Sequence, residues 1–392
     1  MDTILENRTF NCQLLTPLFS YGAYSNKPEI RPSEIKGLMR YTYRIACATA
    51  NHQALLKDEA ALFGGAANAN DEGHASPIRL NIEPQKYPDL EQQLLLHGNV
   101  EQGNKETYKF YPQPCLESID FKLTLTLNHA INTGFAVNLN WYSDLLALSL
   151  LLGGLGKRSR KGRGSIAIQS VEPAADSDVN YHYSDKATLL KAIARMLNTV
   201  AATPHNHNAV NYTLDGETIM ANLPSNNTFH RPIITCIELG SCIPQDKLTA
   251  YLAAIDCACH HTKADYYKNY YDGWYKKTTT DKYLSHQKAI HKKPNDNDLL
   301  NILHQTIATG FASPRVASPL LISIVLIDGH CYPIYTFLHA IVNQNSQYNS
   351  YSCYDVQNNL RQEFIRFVGD LFANHPNYPD DYVCTKKGAK KS

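Results

Sequence analysis

Apolar and polar residues alternate strictly from Asp120 through Phe121, Lys122, Leu123, Thr124, Leu125 and Thr126 to Leu127, the period of a strand with one buried face. Arg8 to Leu15 alternates more loosely and predicts a first strand. After a loop broken by Gly22, Pro28 and Pro32, Ser33 is placed to cap a helix running to about Ala50. On that helix Lys36, Arg40 and Arg44 share one face, and Leu38, Tyr41 and Ile45 lie roughly opposite. The pattern thus predicts an amphipathic helix with a cationic ridge. A second helix, about Gln53 to Leu62, runs into Phe63-Gly64-Gly65, where glycine suits a C-cap. Ile78 to Ile82 reads as a strand, and Leu139 to Leu152 as a helix apolar nearly all round, hence buried. Ser165 to Val171 returns as a strand.

Strand, helix, strands, helix, strand is the order of a ferredoxin-like or RRM-like domain. The polar stretch Asp176 to Asp185 suggests a boundary, giving an N-terminal module over 1–175 and a C-terminal module over 176–392. The second half repeats the rhythm more faintly. Helices are expected at about Lys186 to Thr199, Asp246 to His260 and Val356 to Phe372, with another ending near Thr309. Strands are expected at Pro232 to Leu239, Leu320 to Ile327 and Cys331 to Tyr335, the last two joined by the hairpin signal Asp328-Gly329. A polar, tyrosine-rich insertion covers Lys263 to Asn297, and the basic tail Lys386 to Lys391 reads as frayed. The fold class expected is α+β, two ferredoxin-like/RRM-like modules with antiparallel sheets and inserted loops.

Charge changes this picture at one place. The chain of 392 residues is nearly neutral, with a net charge of +1, yet five of the seven residues from Lys157 to Arg163 are cationic. They sit in the run Gly153-Gly154-Leu155-Gly156-Lys157-Arg158-Ser159-Arg160-Lys161-Gly162-Arg163-Gly164-Ser165. Focused positive charge on a glycine-rich loop with free backbone N–H groups suits a polyanion, foremost the phosphates of a nucleic acid. The loop lacks the Gly-Lys-Ser/Thr ending of a nucleoside triphosphate site. The longest strongly apolar run, Leu145 to Leu152, is far short of a bilayer span, so no membrane is expected. The start Met1-Asp2-Thr3 does not resemble a signal peptide. Ten scattered cysteines suggest reduced thiols and a cytoplasmic setting. The 25 tyrosines exceed what a core needs, and surface tyrosines could stack on bases; Tyr21 and Tyr24, which flank Gly22-Ala23, either stack on a base or pack inside.

Several of these stretches also resemble a known family. Thr16-Pro17-Leu18-Phe19, Gly22-Ala23, Pro28-Glu29-Ile30-Arg31 and Ile35-Lys36-Gly37-Leu38-Met39-Arg40 follow one another as in the N-terminal signature of the CRISPR-associated RAMP superfamily. The match is nearest to the subunit named first in the type III-B (Cmr) effector complex. Glu59, Leu62, Phe63 and Gly64 resemble that family's next motif, Gly153 to Ser165 its glycine-rich loop, and Ala317-Ser318-Pro319-Leu320 a motif of its second half. The resemblance implies two RRM-like modules and an RNA-binding subunit of an RNA-guided ribonucleoprotein of antiviral defence. Such a subunit caps the filament at the 3′ end of the guide RNA (crRNA), beside other RAMP subunits, and helps hold guide and target RNA. Target cutting in these complexes belongs to the backbone subunit, through an aspartate after its first strand. The comparable loop here, Ser20 to Pro28, has no aspartate, so no cleavage is expected. The expected RNA contacts are Arg31, Lys36, Arg40, Arg44, Gly154, Gly156, Lys157, Arg158, Arg160, Lys161 and Arg163. Glu29 is expected to orient Arg31 or Lys36, or to cap the helix; Glu59 and Phe63 are expected to dock the second helix. Arg315 could add to the RNA surface.

Three rivals compete. Cys257, Cys259, His260 and His261, with His205 and His207, place soft ligands near one another, but no second Cys pair completes a tetrahedral set, so neither metal nor cofactor is expected. A metal-independent RAMP endoribonuclease processing guide-precursor RNA would need a general base, for which His52 is nearest to the basic elements. A pure protein scaffold would use the basic loop on an acidic partner.

Overall fold

The computed structural model describes residues 4–24, 27–48, 51–66, 73–84, 91–102, 105–172, 181–202, 210–223, 231–256, 258–259, 311–312, 315–316, 318–345, 350–354 and 358–374. The chain divides into two compact units that interleave in sequence. One holds Met1–Leu90, Cys115–Cys242 and Leu321–His339; the other holds Glu91–Pro114, Ile243–Leu320 and Ala340–Ser392.

The first unit opens with β1 (Leu5–Leu14), α1 (Pro32–Ala46), α2 (His52–Phe63) and β2 (Ile78–Pro84). Two strands of the other unit, β3 (Glu91–Gln102) and β4 (Lys105–Cys115), intervene before β5 (Asp120–Asn128), α3 (Leu139–Leu152) and β6 (Ile166–Glu172). The four strands of the first unit form one sheet in the order β2-β5-β1-β6, with β1 antiparallel to β5 and β6, and β2 antiparallel to β5. That order is the ferredoxin-like one: the first strand lies between the third and fourth, and the second lies outside the third. Alternation places Phe10, Cys12 and Leu14 of β1 beside Phe121, Leu123, Leu125 and Leu127 of β5 in the core. α1 and α3 pack against this sheet and against each other.

α3 also packs on α4 (Lys186–Ala201), which explains its lack of a polar face: 13 of its residues are buried. Burial extends to Asp144, whose carboxylate accepts both guanidinium nitrogens of Arg195 at 2.6 and 2.9 Å and the Tyr181 hydroxyl at 3.1 Å. A carboxylate at this depth is tolerable because it is paired and hydrogen-bonded.

A second sheet follows with β7 (Asn211–Asp215), β8 (Thr218–Asn222), β9 (Ile234–Leu239), β12 (Leu320–Ile327) and β13 (His330–Leu338), in the order β12-β13-β9-β8-β7. The order β12-β13-β9 repeats three places of the ferredoxin-like sheet, but the fourth is taken by β8, which precedes β9 in the chain. Asp328 and Gly329 turn between β12 and β13 with φ of 46° and 75°, the left-handed pair of a tight hairpin. The hairpin β7–β8 was not read from the sequence, although Asp215-Gly216 carries the same signal. The expected boundary near 176 falls between the two sheets in sequence, and both sheets lie in the one compact unit.

The other unit contains β3 paired with β4, β10 (Phe311–Ala312) with β11 (Arg315–Val316), and β14 (Ala340–Asn345) with β15 (Ser350–Tyr354). Its described helical parts include 248–256 and α5 (Asn358–Asn374), and Tyr251 meets Phe372 edge-on at 5.3 Å between ring centres. The β3–β4 pair was not anticipated. The expected insertion 263–297, the helix ending near 309 and the basic tail lie outside the described residues.

Helix α1 starts two residues earlier than a cap at Ser33 would dictate. Arg31 is its N-cap, in extended conformation and with no side-chain cap hydrogen bond, and Pro32 occupies the first turn. Proline there needs no N–H and has its φ already set, so it fixes the start. The helix ends at Ala46 rather than Ala50, where Cys47 turns extended.

Candidate nucleic-acid interface

The glycine-rich loop is a stitched structure. α3 ends at Gly153, and a short 3-10 turn occupies Ser159–Lys161. The loop's two limbs cross backbone to backbone: the Leu155 amide donates to the Gly164 carbonyl at 3.0 Å, and the Gly164 amide to Pro17 at 3.1 Å. A Cβ on Gly154 would stand 2.2 Å from the Arg163 carbonyl oxygen, and one on Gly164 2.2 Å from that of Leu155. Only glycine allows this crossing. Gly156 donates its amide to Glu34 Oε1 at 2.6 Å, Lys157 to Phe19 O at 3.0 Å, Lys161 to Arg158 O at 2.8 Å, Gly162 to Ile322 O at 2.8 Å and Ser165 to Thr16 Oγ1 at 2.9 Å. These amides are committed inside the protein. The free N–H groups expected for phosphate are therefore not offered at Leu155, Gly156, Lys157, Lys161, Gly162, Gly164 or Ser165, and charge on the side chains is what the loop presents.

Those side chains differ in placement. Lys157 is exposed, Arg158, Arg160 and Lys161 are half-buried, and Arg163 is buried at 3% exposure. Arg158 takes a left-handed φ of 60°, which costs a non-glycine residue and marks a position the surroundings hold fixed. The Arg160 guanidinium donates to the Tyr41 hydroxyl at 3.1 Å and lies 5.2 Å from that ring's centre. Burial raises the pKa of Tyr41, an effect the charges of Arg160 and Arg44 oppose.

The ridge on α1 is engaged with its neighbours. Lys36 Nζ donates to Ser76 Oγ and to the Ile78 carbonyl at 3.3 Å. Burial, then the charge of Arg40, lowers the pKa of Lys36. Arg40 donates to Glu59 at 3.3 Å, to the Phe63 carbonyl at 3.0 Å and to the Gly64 carbonyl. Arg44 donates to both Glu59 oxygens at 2.9 Å. Glu59, buried at 5% exposure, is thus neutralised by two arginines, and Arg40 also satisfies carbonyls at the negative end of α2. This is how Glu59 and Phe63 dock the second helix. About a third of the Arg40 and Arg44 side chains remains exposed.

Ridge and loop meet along α1. Glu34, Leu38 and Tyr41 form the side of the helix that touches the loop: Leu38 packs under Gly153, Glu34 holds Gly156 and Tyr41 holds Arg160. On the helical wheel exposed Gly37 falls between Arg44 and Tyr41. Space beside Gly37 is open, with nothing within 4 Å of an added Cβ. Cations from the ridge and from the loop therefore flank one exposed strip of α1.

Arg31 sits at the head of that strip, 39% exposed, with its guanidinium 3.6 Å from Glu34 and 3.4 Å from Ser20 Oγ. The acid paired with Arg31 is Glu34, not Glu29 as expected; the Glu29 carboxylate instead occupies the place where a Gly22 side chain would project. Glu34 was missed in the sequence, where nothing marks its partner 122 residues away. Arg315 lies on β11, in the other unit. The side chain of His52, and Cys257, His260, His261, His205 and His207, lie outside the described residues; Cys259 is buried. Among the described residues no three His, Cys, Asp or Glu are grouped to hold a metal, and no helix is long and apolar enough to cross a membrane.

With an antiparallel ferredoxin-like sheet and a glycine-rich basic loop docked on its first helix, the chain is similar to several known proteins. Residues 11–167 match the family model of the RAMP superfamily. A curated relative, CRISPR system Cmr subunit Cmr1-2 of Pyrococcus furiosus, is 24% identical over 183 residues, which is 41% of this chain and 94% of the relative. A chain in the solved type III-B Cmr-beta complex bound to cognate target RNA superposes with a TM-score of 0.50 at 14% identity, covering 93% of this chain and 99% of that one. The crystal structure of Cmr1 from Pyrococcus furiosus gives 0.44 at 14% identity, covering 95% of this chain and 97% of the other.

Proposed function

We propose that this chain is a non-catalytic RNA-binding subunit of a type III-B CRISPR effector complex. It acts in the cytoplasm, caps the filament at the 3′ end of the guide RNA, contacts other RAMP subunits and helps hold guide and target RNA. The observation that carries the reading is the strip of α1 around Gly37, flanked by Arg40 and Arg44 on one side and by the Arg160 loop on the other. Phosphate contacts from such side chains fix the register of a strand without reading its bases, which guided systems leave to base pairing. The RAMP match over 11–167 spans the strip and the loop together. Arg31, Lys157, Arg158, Arg160 and Lys161 are the contacts presented at the surface. Lys36, Arg40 and Arg44 act from the flank while they hold α2, and Arg163 and the glycines shape the loop.

The test is the salt dependence of binding to a fluorescent single-stranded RNA. Each phosphate contact contributes about −0.7 to the slope of log affinity against log salt. Replacing Lys157, Arg158, Arg160 and Lys161 by alanine is expected to make the slope shallower by up to about 3. The RNA should be recovered uncut. An unchanged slope would favour a protein scaffold, and specific fragments would favour a processing nuclease.

A further inference from the structure

The loop preceding α1 carries an aromatic surface that the phosphate contacts do not explain. Tyr21 and Pro28 pair as an isolated bridge, the Glu29 backbone amide donates to the Ser20 carbonyl at 2.8 Å, and the Lys27 backbone amide to the Tyr24 carbonyl at 3.2 Å. The segment is therefore closed at its base. Tyr24 is 67% exposed. Among the described residues the other exposed large hydrophobics are Ile4, Leu5 and Leu56, so Tyr24 is the exposed ring. Lys27 Nζ lies 5.4 Å from the centre of the Tyr24 ring, and Lys157 Nζ 4.7 Å from that of Tyr21. The Lys157 amide bond to Phe19 ties this segment to the basic loop.

We propose that Tyr24 is a stacking platform for one unpaired nucleobase of a bound RNA strand, with Lys27 taking the adjoining phosphate and Lys157 continuing the path toward the glycine-rich loop. The proposal rests on the reading of the chain as RNA-binding. A nucleotide carries a flat π-face and a phosphate on one unit, and the ring with its neighbouring ammonium matches both. An apolar peptide would cover the ring but strip water from Lys27 without pairing it. Stacking on an aromatic ring serves any base, which suits a subunit that leaves sequence to base pairing.

The experiment uses the full chain and single-stranded RNAs carrying 2-aminopurine at successive positions, with circular dichroism confirming that each variant is folded. Quenching is expected at one position, kept in Tyr24→Phe and lost in Tyr24→Ala. Tyr24→Ala should weaken binding about 5- to 150-fold with the salt slope unchanged. Lys27→Ala should make the slope shallower by about 0.7. If Tyr24→Ala keeps both affinity and quenching while the loop variant weakens, stacking is overturned and RNA binding stands. If Tyr24→Ala binds RNA normally but no longer co-purifies with its partner subunits, the ring is a protein contact and the proposal fails. Absence of RNA binding by the wild type would overturn the wider reading with it.

Discussion

Glu34 accepts the backbone amide of Gly156 at 2.6 Å, so an acid on the first helix holds the most basic loop of the chain. The same carboxylate accepts the Ser20 hydroxyl at 2.5 Å and sits 3.6 Å from Arg31. One side chain thus joins the start of α1, the tyrosine-bearing segment and the glycine-rich loop.

Glu34→Ala should therefore weaken RNA binding, although it removes a negative charge from a basic surface. Field alone predicts tighter binding; loss of the loop's position predicts weaker. The stability loss should be about 1 kcal/mol, the lower end of the cost of leaving an amide without its acceptor, since Gly156 is only half-buried. Glu34→Gln, which retains an acceptor oxygen, should lose less. Urea unfolding and an RNA titration on the same samples decide the matter, and tighter binding by Glu34→Ala would refute the clamp.

The glycines of this region separate into two kinds by what surrounds them. At Gly154 and Gly164 an alanine methyl meets a carbonyl oxygen at 2.2 Å, so either substitution must open the limbs of the loop. A loss on the order of 2–4 kcal/mol is expected, typical of backbone clashes. Gly37 faces open space inside a helix, where alanine should add about 0.5–1 kcal/mol. Thermal melts of the three alanine variants should order them accordingly, with Gly37→Ala above wild type.

What could be read in advance follows from the range of the interactions concerned. α3 was legible to the residue, because its mostly apolar stretch is bounded by the capping Asn138 and by Gly153. The Asp328-Gly329 hairpin was legible because two adjacent left-handed residues are a local requirement. The cationic ridge was visible as periodicity, but its partner was not. Helical spacing shows that Lys36, Arg40 and Arg44 share a face, and only the fold shows that Glu59 lies against it. The same holds for the loop: its composition announced charge, whereas the use of its amides by Glu34, Phe19, Pro17, Thr16 and Ile322 depends on contacts far along the chain. Glycine was read as freedom to approach phosphate, and at Gly154 and Gly164 it serves the approach of the loop to itself.

Alkaline pH gives a separate view of how firmly α1 is held. Cys47 ends the helix, fully buried, with its thiol 3.7 Å from the Val200 carbonyl. Burial pushes its pKa from the ordinary 9.0 up to about 12, and the Arg231 guanidinium, which donates to the Cys47 carbonyl, offsets only part of that. In the unfolded chain the thiol ionises near its ordinary value, so between about 9 and 12 the folded state binds more protons than the unfolded one. Stability from this group is complete below pH 9 and is lost as pH rises, by at most about 1.4 kcal/mol per pH unit. Cys12 is raised in the same direction by burial and adds to the slope. The urea midpoint should stay level from pH 7 to 8.5 and fall above 9, less steeply in Cys47→Ala. A thiol-reactive dye at pH 8 should label exposed Cys242 in the native protein and leave Cys12 and Cys47 until urea is added. Equal labelling of Cys47 and Cys242 without urea would mean that the end of α1 opens, and the ridge could not then hold a fixed face toward RNA.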